Sequence, residues 1–155
     1  MGFFSIFKRS GSQSAAMTLD ALEQSLAVIE FDLQGKILRA NKNFLDVMGY
    51  ELSEIVGKHH AMFVPEEIRK SPDYDAFWSD LRKGFFKSAA FPRITKTGGR
   101  VWIEATYNPV RDSKGNVTKI VKFASDITKR QETMADFEGK VNAINRSQAV
   151  IEFDL

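Results

Sequence analysis

Seven consecutive residues occur twice in this chain. Ala27-Val28-Ile29-Glu30-Phe31-Asp32-Leu33 returns in the same order as Ala149-Val150-Ile151-Glu152-Phe153-Asp154-Leu155, and the pairs Ser25/Ser147 and Ala21/Ala143 extend the agreement upstream. The copies lie roughly 120 residues apart, too far for a solenoid unit and right for one domain plus a linker. In the first copy Ala27, Ile29 and Phe31 fall on one face of an extended chain, and Val28, Glu30 and Asp32 on the other. That alternation predicts a half-buried strand. The chain is therefore expected to hold one complete domain and then the first strand of a second copy, with the parent protein running on past Leu155.

At 155 residues, 43% of them hydrophobic, there is enough apolar surface for one real core. Lys and Arg number 22 against 20 Asp and Glu, a net charge of +2. This balance argues against nucleic acid as a partner, since such proteins concentrate basic charge on one face. No cysteine is present, which excludes disulfides and thiolate chemistry and suits a cytoplasmic location. No apolar run is long enough to span a membrane. The start of the chain, Phe3-Phe4-Ser5-Ile6-Phe7-Lys8-Arg9, reads as a mobile or partner-bound tail, with a membrane-surface contact as the alternative. Ser10 to Ala16 reads as a flexible linker.

A short helix is expected over Thr18 to Gln24, followed by the strand at 27–32, a Gln34-Gly35 turn and a second strand at 36–40. Asn41 can cap a helix bearing Phe44, Leu45 and Met48, which Gly49 ends. Short helices follow at Glu51–Val56 and after Pro65, with His59 and His60 in the loop between them. Tyr74, Phe77, Trp78 and Leu81 sit at helical spacing and predict an amphipathic helix over 72–82. Three strands close the domain, at 86–95, 100–110 and 117–125. Beyond Asp126, a candidate helix cap, Ile127, Met134, Phe137, Val141 and Ile144 fall on a and d heptad positions, with Arg130 the polar exception. This pattern predicts a short coiled coil; the alternative is one helix packing back on its own domain.

This order of elements, with Glu30-Phe31-Asp32, Ala40-Asn41, Met48-Gly49-Tyr50, Gly57-Lys58, Trp102-Ile103, Asn108-Pro109-Val110 and Asp126-Ile127-Thr128, resembles a PAS domain over residues 20–128. Gly57 to Phe63, Phe77-Trp78 and Val121 to Thr128 are most similar to the first of the tandem PAS domains of soluble methyl-accepting chemotaxis-type transducers, the biofilm-dispersion and aerotaxis group. The resemblance implies an α+β fold: a five-stranded antiparallel sheet, short helices on one face, an N-terminal helix, a coiled-coil-like exit helix and a ligand cavity between sheet and helices. It also implies a homodimer through the N-terminal and exit helices, and a downstream second PAS domain and signalling domain. The expected boundaries are a tail over 1–16, the PAS domain over 17–128, a linker helix over 129–146 and the first strand of the second PAS domain over 147–155.

Enzyme signatures are absent, so no catalytic residue is expected. The residues expected to bind a cofactor are His59, His60, Met62, Phe63, Trp78 and Trp102. Resemblance to the haem-dependent dispersion transducers implies haem b, with the iron on one of His59 and His60, the chain's two histidines. Other haem PAS domains carry their ligand on the helix matching 73–83, which holds no histidine here. FAD is the alternative, since the aerotaxis PAS domain places a His and two Trp near His60, Trp78 and Trp102, although Val64 stands where its arginine is expected. A small organic ligand, or no ligand, leaves the histidines as a polar cap of the next helix, Trp78 as core and Trp102 as cross-strand packing. Asp126, Ile127 and Thr128 match the family's link between sheet and exit helix; the plain alternative is a static cap. The expected function is a sensory input module for oxygen, redox state or a small molecule, against a cofactor-free dimerisation module.

Overall fold

The computed structural model describes residues 4–151, with side chains from 13 to 146. Five strands form one antiparallel sheet in the order β2-β1-β5-β4-β3. They are β1 (Ala27–Phe31), β2 (Ile37–Ala40), β3 (Lys87–Ile94), β4 (Arg100–Arg111) and β5 (Val117–Asp126). Helices α2 (Lys42–Met48), α3 (Leu52–Ile55), α4 (Glu66–Arg69) and α5 (Pro72–Lys83) lie between β2 and β3, with a 3-10 turn over His60–Phe63. Helices α1 (Phe4–Ser25) and α6 (Thr128–Ile151) flank the domain.

The core lies between the inner face of the sheet and these helices. Ile29 and Phe31 of β1, Ile103, Ala105 and Tyr107 of β4, and Ile120 and Ala124 of β5 are buried there against Phe44, Met48, Ile55, Phe63, Trp78 and Leu81. Asn41 begins α2 by accepting a hydrogen bond from the Phe44 N–H at 3.0 Å, while its amide donates to the Leu26 carbonyl at 2.8 Å. One side chain thus caps a helix and fixes the end of α1. The expected sheet and the 72–82 helix are present.

Two expectations at the ends of the chain differ from the structure. The segment read as tail and linker over 4–16 is helical and continuous with α1. Extending a helix adds one backbone bond for each residue fixed, whereas starting one does not; Ala15 and Ala16 favour extension, and Gly11 alone costs only about 1 kcal/mol. At the other end, α6 continues through Ala149, Val150 and Ile151, where the repeat predicted a strand. A strand requires a paired neighbour, and a helix satisfies its own backbone. The remaining repeat residues, 152–155, lie outside the described residues.

The first two turns of α6 lie beside Arg100 and Trp102 of β4, and the helix is exposed over residues 132–146. Met134, Phe137 and Val141 are exposed along it, as are Met17, Leu19 and Leu22 on α1. Among the described residues no helix is long and apolar enough to cross a membrane.

Candidate functional site

The β1–β2 turn and the 59–60 segment are stapled together. Lys36 bridges His59 in antiparallel fashion, and the His60 N–H donates to the Gly35 carbonyl at 2.8 Å. Gly35 has φ +80, and a Cβ there would lie 2.7 Å from His59 Nε2 and 3.0 Å from Trp78 Cζ2. The turn therefore needs glycine for its backbone and for the ring beside it. His59 is exposed, and its Nδ1 accepts from the Ala61 N–H at 3.1 Å, capping the 3-10 turn. Of the two histidines, it is the one that performs the capping role.

His60 turns the opposite way and is 1% exposed. Its ring meets Phe31, Trp78 and Tyr107 edge-on and stacks on Tyr74. Both ring nitrogens are engaged: Nδ1 lies 2.9 Å from the Tyr74 hydroxyl and Nε2 lies 3.0 Å from the Tyr107 hydroxyl. Arg93 Nη2 donates to the same Tyr107 oxygen at 2.9 Å. One of the two tautomers leaves no fully buried hydroxyl without an acceptor, whereas the other strands the Tyr107 O–H. In the first, Tyr107 accepts from Arg93 and donates to Nε2; Nδ1–H then donates to Tyr74, whose own O–H is left to donate elsewhere. Burial holds the His60 imidazole well below its ordinary 6.5, with the nearby Arg93 and Lys122 cations acting the same way. Burial also pushes the Tyr74 phenol up to about 12.

Three basic side chains, His60, Arg93 and Lys122, are buried on this inner face without a carboxylate. Neither Arg93 nor Lys122 makes an ion pair among the described residues. Lys122 Nζ lies 5.0 Å from the centre of the Tyr107 ring and 5.6 Å from that of Phe44. Burial, then Arg93, drives its pKa well below 10.5. Arg93 packs over the Phe91 ring at 4.9 Å, and its Nη1 donates to the Pro92 carbonyl at 2.7 Å. Its Nε–H is buried with no partner, as is the indole N–H of Trp78. The indole lies near enough to Tyr74 to favour its phenolate form slightly, without hydrogen-bond geometry.

Beside these groups is a cavity of about 170 Å³, walled by Val64, Ile68, Phe77 and Phe91 and reached by His60, Tyr74, Arg93 and Asp73. Of the residues expected to bind a cofactor, His60 lines it and Trp78 packs directly behind His60. The other four lie elsewhere. His59 is outside, Met62 is half-buried on the core, and Phe63 packs edge-on against Phe44 and Tyr50 under α2. Trp102 alternates with the buried Ile103 and so faces the opposite side of the sheet, beside α6. Sequence patterns do not single out Arg93, Tyr107 or Lys122, and they mark Tyr74 only as part of the apolar face of α5. Period-two counting from Phe91 and from Ile120 places Arg93 and Lys122 in phase with the core, and that is the signal that could have found them.

The cavity does not fit a haem or a flavin in this conformation. Pockets for drug-sized ligands occupy about 300–1,000 Å³, well above this volume, and an iron ligand needs a free ring nitrogen facing the space. Both nitrogens of His60 are occupied, and His59 faces away.

The exit from the sheet is built differently. Asp126 Oδ1 accepts from the Thr128 N–H at 2.8 Å and from its hydroxyl at 2.6 Å. The Trp102 N–H donates to Thr128 Oγ1 at 3.0 Å, and the Ile127 N–H donates to the Trp102 carbonyl at 2.8 Å. The backbone of Trp102 thus grips the first turn of α6. Trp102 pairs with Pro92, the residue whose carbonyl holds Arg93. A contiguous line of contacts therefore joins the cavity to the exit helix.

The chain is similar to several known proteins. The biofilm dispersion protein BdlA of Pseudomonas aeruginosa is 46% identical over 135 residues, covering 87% of this chain and 32% of that protein. The aerotaxis receptor of Escherichia coli is 36% identical over 84 residues, 54% of this chain and 16% of the receptor. The oxygen sensor protein DosP of Escherichia coli is 26% identical over 141 residues, 88% of this chain and 17% of the sensor. The chain thus spans no more than about a third of these relatives. Among solved structures, an RNA-binding light-oxygen-voltage receptor superposes with a TM-score of 0.69 at 23% identity over 83% of this chain and 37% of that one, a likeness of fold alone. A family model described as the PAS fold matches residues 19–132. With that match across most of its length, and with the sheet and cavity described above, this chain belongs to the PAS-fold family.

Proposed function

We propose that the chain is the non-catalytic sensory input domain of a cytoplasmic chemotaxis-type transducer, and that it reports occupancy of the cavity under α5 through β3, β4 and the Asp126–Thr128 joint to α6. The observation that carries this reading is the unpaired, buried Nε–H of Arg93 beside a preformed cavity. Its guanidinium also holds the Pro92 carbonyl opposite Trp102. A ligand that draws on Arg93 would act on the strand that grips the exit helix, a candidate two-state element. The exposed apolar faces of α1 and α6 suit a homodimer, with the output passing into downstream domains of the longer protein.

A second reading, oxygen or redox sensing through haem or FAD, is favoured by the likeness to the oxygen sensor and the aerotaxis receptor. It requires His60 to leave Tyr107 and the cavity to widen. An absorption spectrum decides between the two, taken as isolated and after haem or FAD addition, with His59→Ala and His60→Ala alongside. The first reading gives no Soret or flavin band. A Soret band lost in only one histidine variant replaces it with the second.

A further inference from the structure

The polar groups at the cavity are nearly all donors. Arg93 brings a fixed positive charge and a buried Nε–H without a partner. In the proton arrangement that satisfies His60, Tyr74 brings a free O–H. His60 also lines the cavity but has both ring nitrogens engaged, and Lys122, over the Tyr107 ring, is a donor, so neither supplies an acceptor. The one carboxylate is Asp73, exposed in the first turn of α5. The rest of the wall is Val64, Ile68, Phe77 and Phe91. An unpaired guanidinium in an apolar site is costly, and an incoming anion relieves that cost through charge-assisted hydrogen bonds. The volume of about 170 Å³ resembles cavities of ~150 Å³ that hold one benzene.

We infer that this cavity takes a small monocarboxylate with an apolar, ring-sized body, its carboxylate facing Arg93 and Tyr74. The apolar wall sets the body, the donor set sets the charge, and Asp73 disfavours a second negative group on the ligand's outer side. A cation would have the water-exposed Asp73 as its acidic partner and would face Arg93 inside. This inference rests on the occupancy reading above and adds the ligand class to it.

The test is calorimetric titration of the purified protein with benzoate, its neutral counterpart benzamide and the cation benzylammonium. Benzoate is expected to bind at least about tenfold more tightly than benzamide, the loss that follows from removing a charged hydrogen bond, with benzylammonium weaker still. Arg93→Gln should erase the preference. Because that variant alters a buried network, Tyr74→Phe provides a second arm and should narrow the benzoate-to-benzamide ratio several-fold without abolishing benzamide binding. Equal affinity for benzoate and benzamide, tighter binding of benzylammonium, or an unchanged ratio in both variants would overturn the ligand class and leave the occupancy reading standing. No heat from any of the three, with no change in melting temperature, would overturn both.

Discussion

Around Tyr107 the polar groups are dry and short of counter-charge, while around Asp126, farther along the same β4–β5 ladder, they are exposed and paired. Tyr107 sits opposite Lys122 and Ile103 opposite Asp126 in one continuous register. The first cluster places Arg93, Lys122 and His60 in a low-dielectric face with no acid to neutralise them. The second uses a solvated carboxylate, a threonine hydroxyl and two backbone groups to fasten a helix. The contrast separates the roles. A cluster held away from its electrostatic optimum responds strongly to an added charge, whereas a satisfied joint transmits a displacement while storing little energy.

The largest effect is expected from Tyr107→Phe. Its hydroxyl serves both Arg93 and His60, so its removal leaves two buried groups short of a partner and should cost about 2–4 kcal/mol in denaturant unfolding. A cost below about 0.5 kcal/mol would mean the cluster is already wet. Next, Lys122→Met should stabilise the domain by roughly 1–3 kcal/mol, because a buried cation without a counter-ion gives way to an apolar side chain of similar length. A destabilised variant would show that Lys122 has a partner the cluster conceals.

The third effect concerns pH. His60 in the folded domain is held below its ordinary 6.5, so the unfolded chain binds the extra proton first. The stability contributed by neutral His60 is complete above pH 6.5 and is lost as pH falls towards the lowered folded value. The slope is at most about 1.4 kcal/mol per pH unit from this group. His60→Gln, which can keep hydrogen bonds to both tyrosines, should flatten that part of the melting-temperature profile between pH 7 and 5. An identical profile in the variant would mean that His60 does not set the pH dependence of stability. The smallest effect on stability is expected from Asp126→Ala, about 0.5–1 kcal/mol for a lost cap. Its functional effect should be disproportionate: if the proposed sensory role holds, the response of the longer protein is lost while the cavity retains its ligand preference. A response equal to wild type would reduce Asp126 to a static cap.

The sequence disclosed the frame of the molecule more fully than its site. Helix α5 was legible because Tyr74, Phe77, Trp78 and Leu81 repeat at helical spacing, and β1 because its alternation is clean. Asp126 was legible because a carboxylate between strand and helix has few other uses. The site was obscured by its own strands. β5 is apolar on both faces through Val117, Ile120, Val121, Phe123 and Ala124, so a lysine within it reads as an outward residue, although Lys122 points inward with Ile120 and Ala124. Arg93 is similarly masked beside Pro92. His59 and His60 drew attention as a pair, yet adjacent residues diverge: one caps a turn at the surface and the other joins the buried network. Trp102 has the residue type expected of a cofactor wall, but strand parity turns its side chain away from the cavity, and it is its backbone that meets the exit helix.

Filling the cavity is expected to alter the grip of the sheet on α6. Amide hydrogen exchange, measured with and without saturating benzoate, tests it most directly. Slowed exchange is expected around His60, Tyr74 and Arg93 together with altered exchange at Ile127, Thr128 and Gln131, and loss of the second change alone in Asp126→Ala. Protection confined to the cavity in the wild-type protein would contradict it.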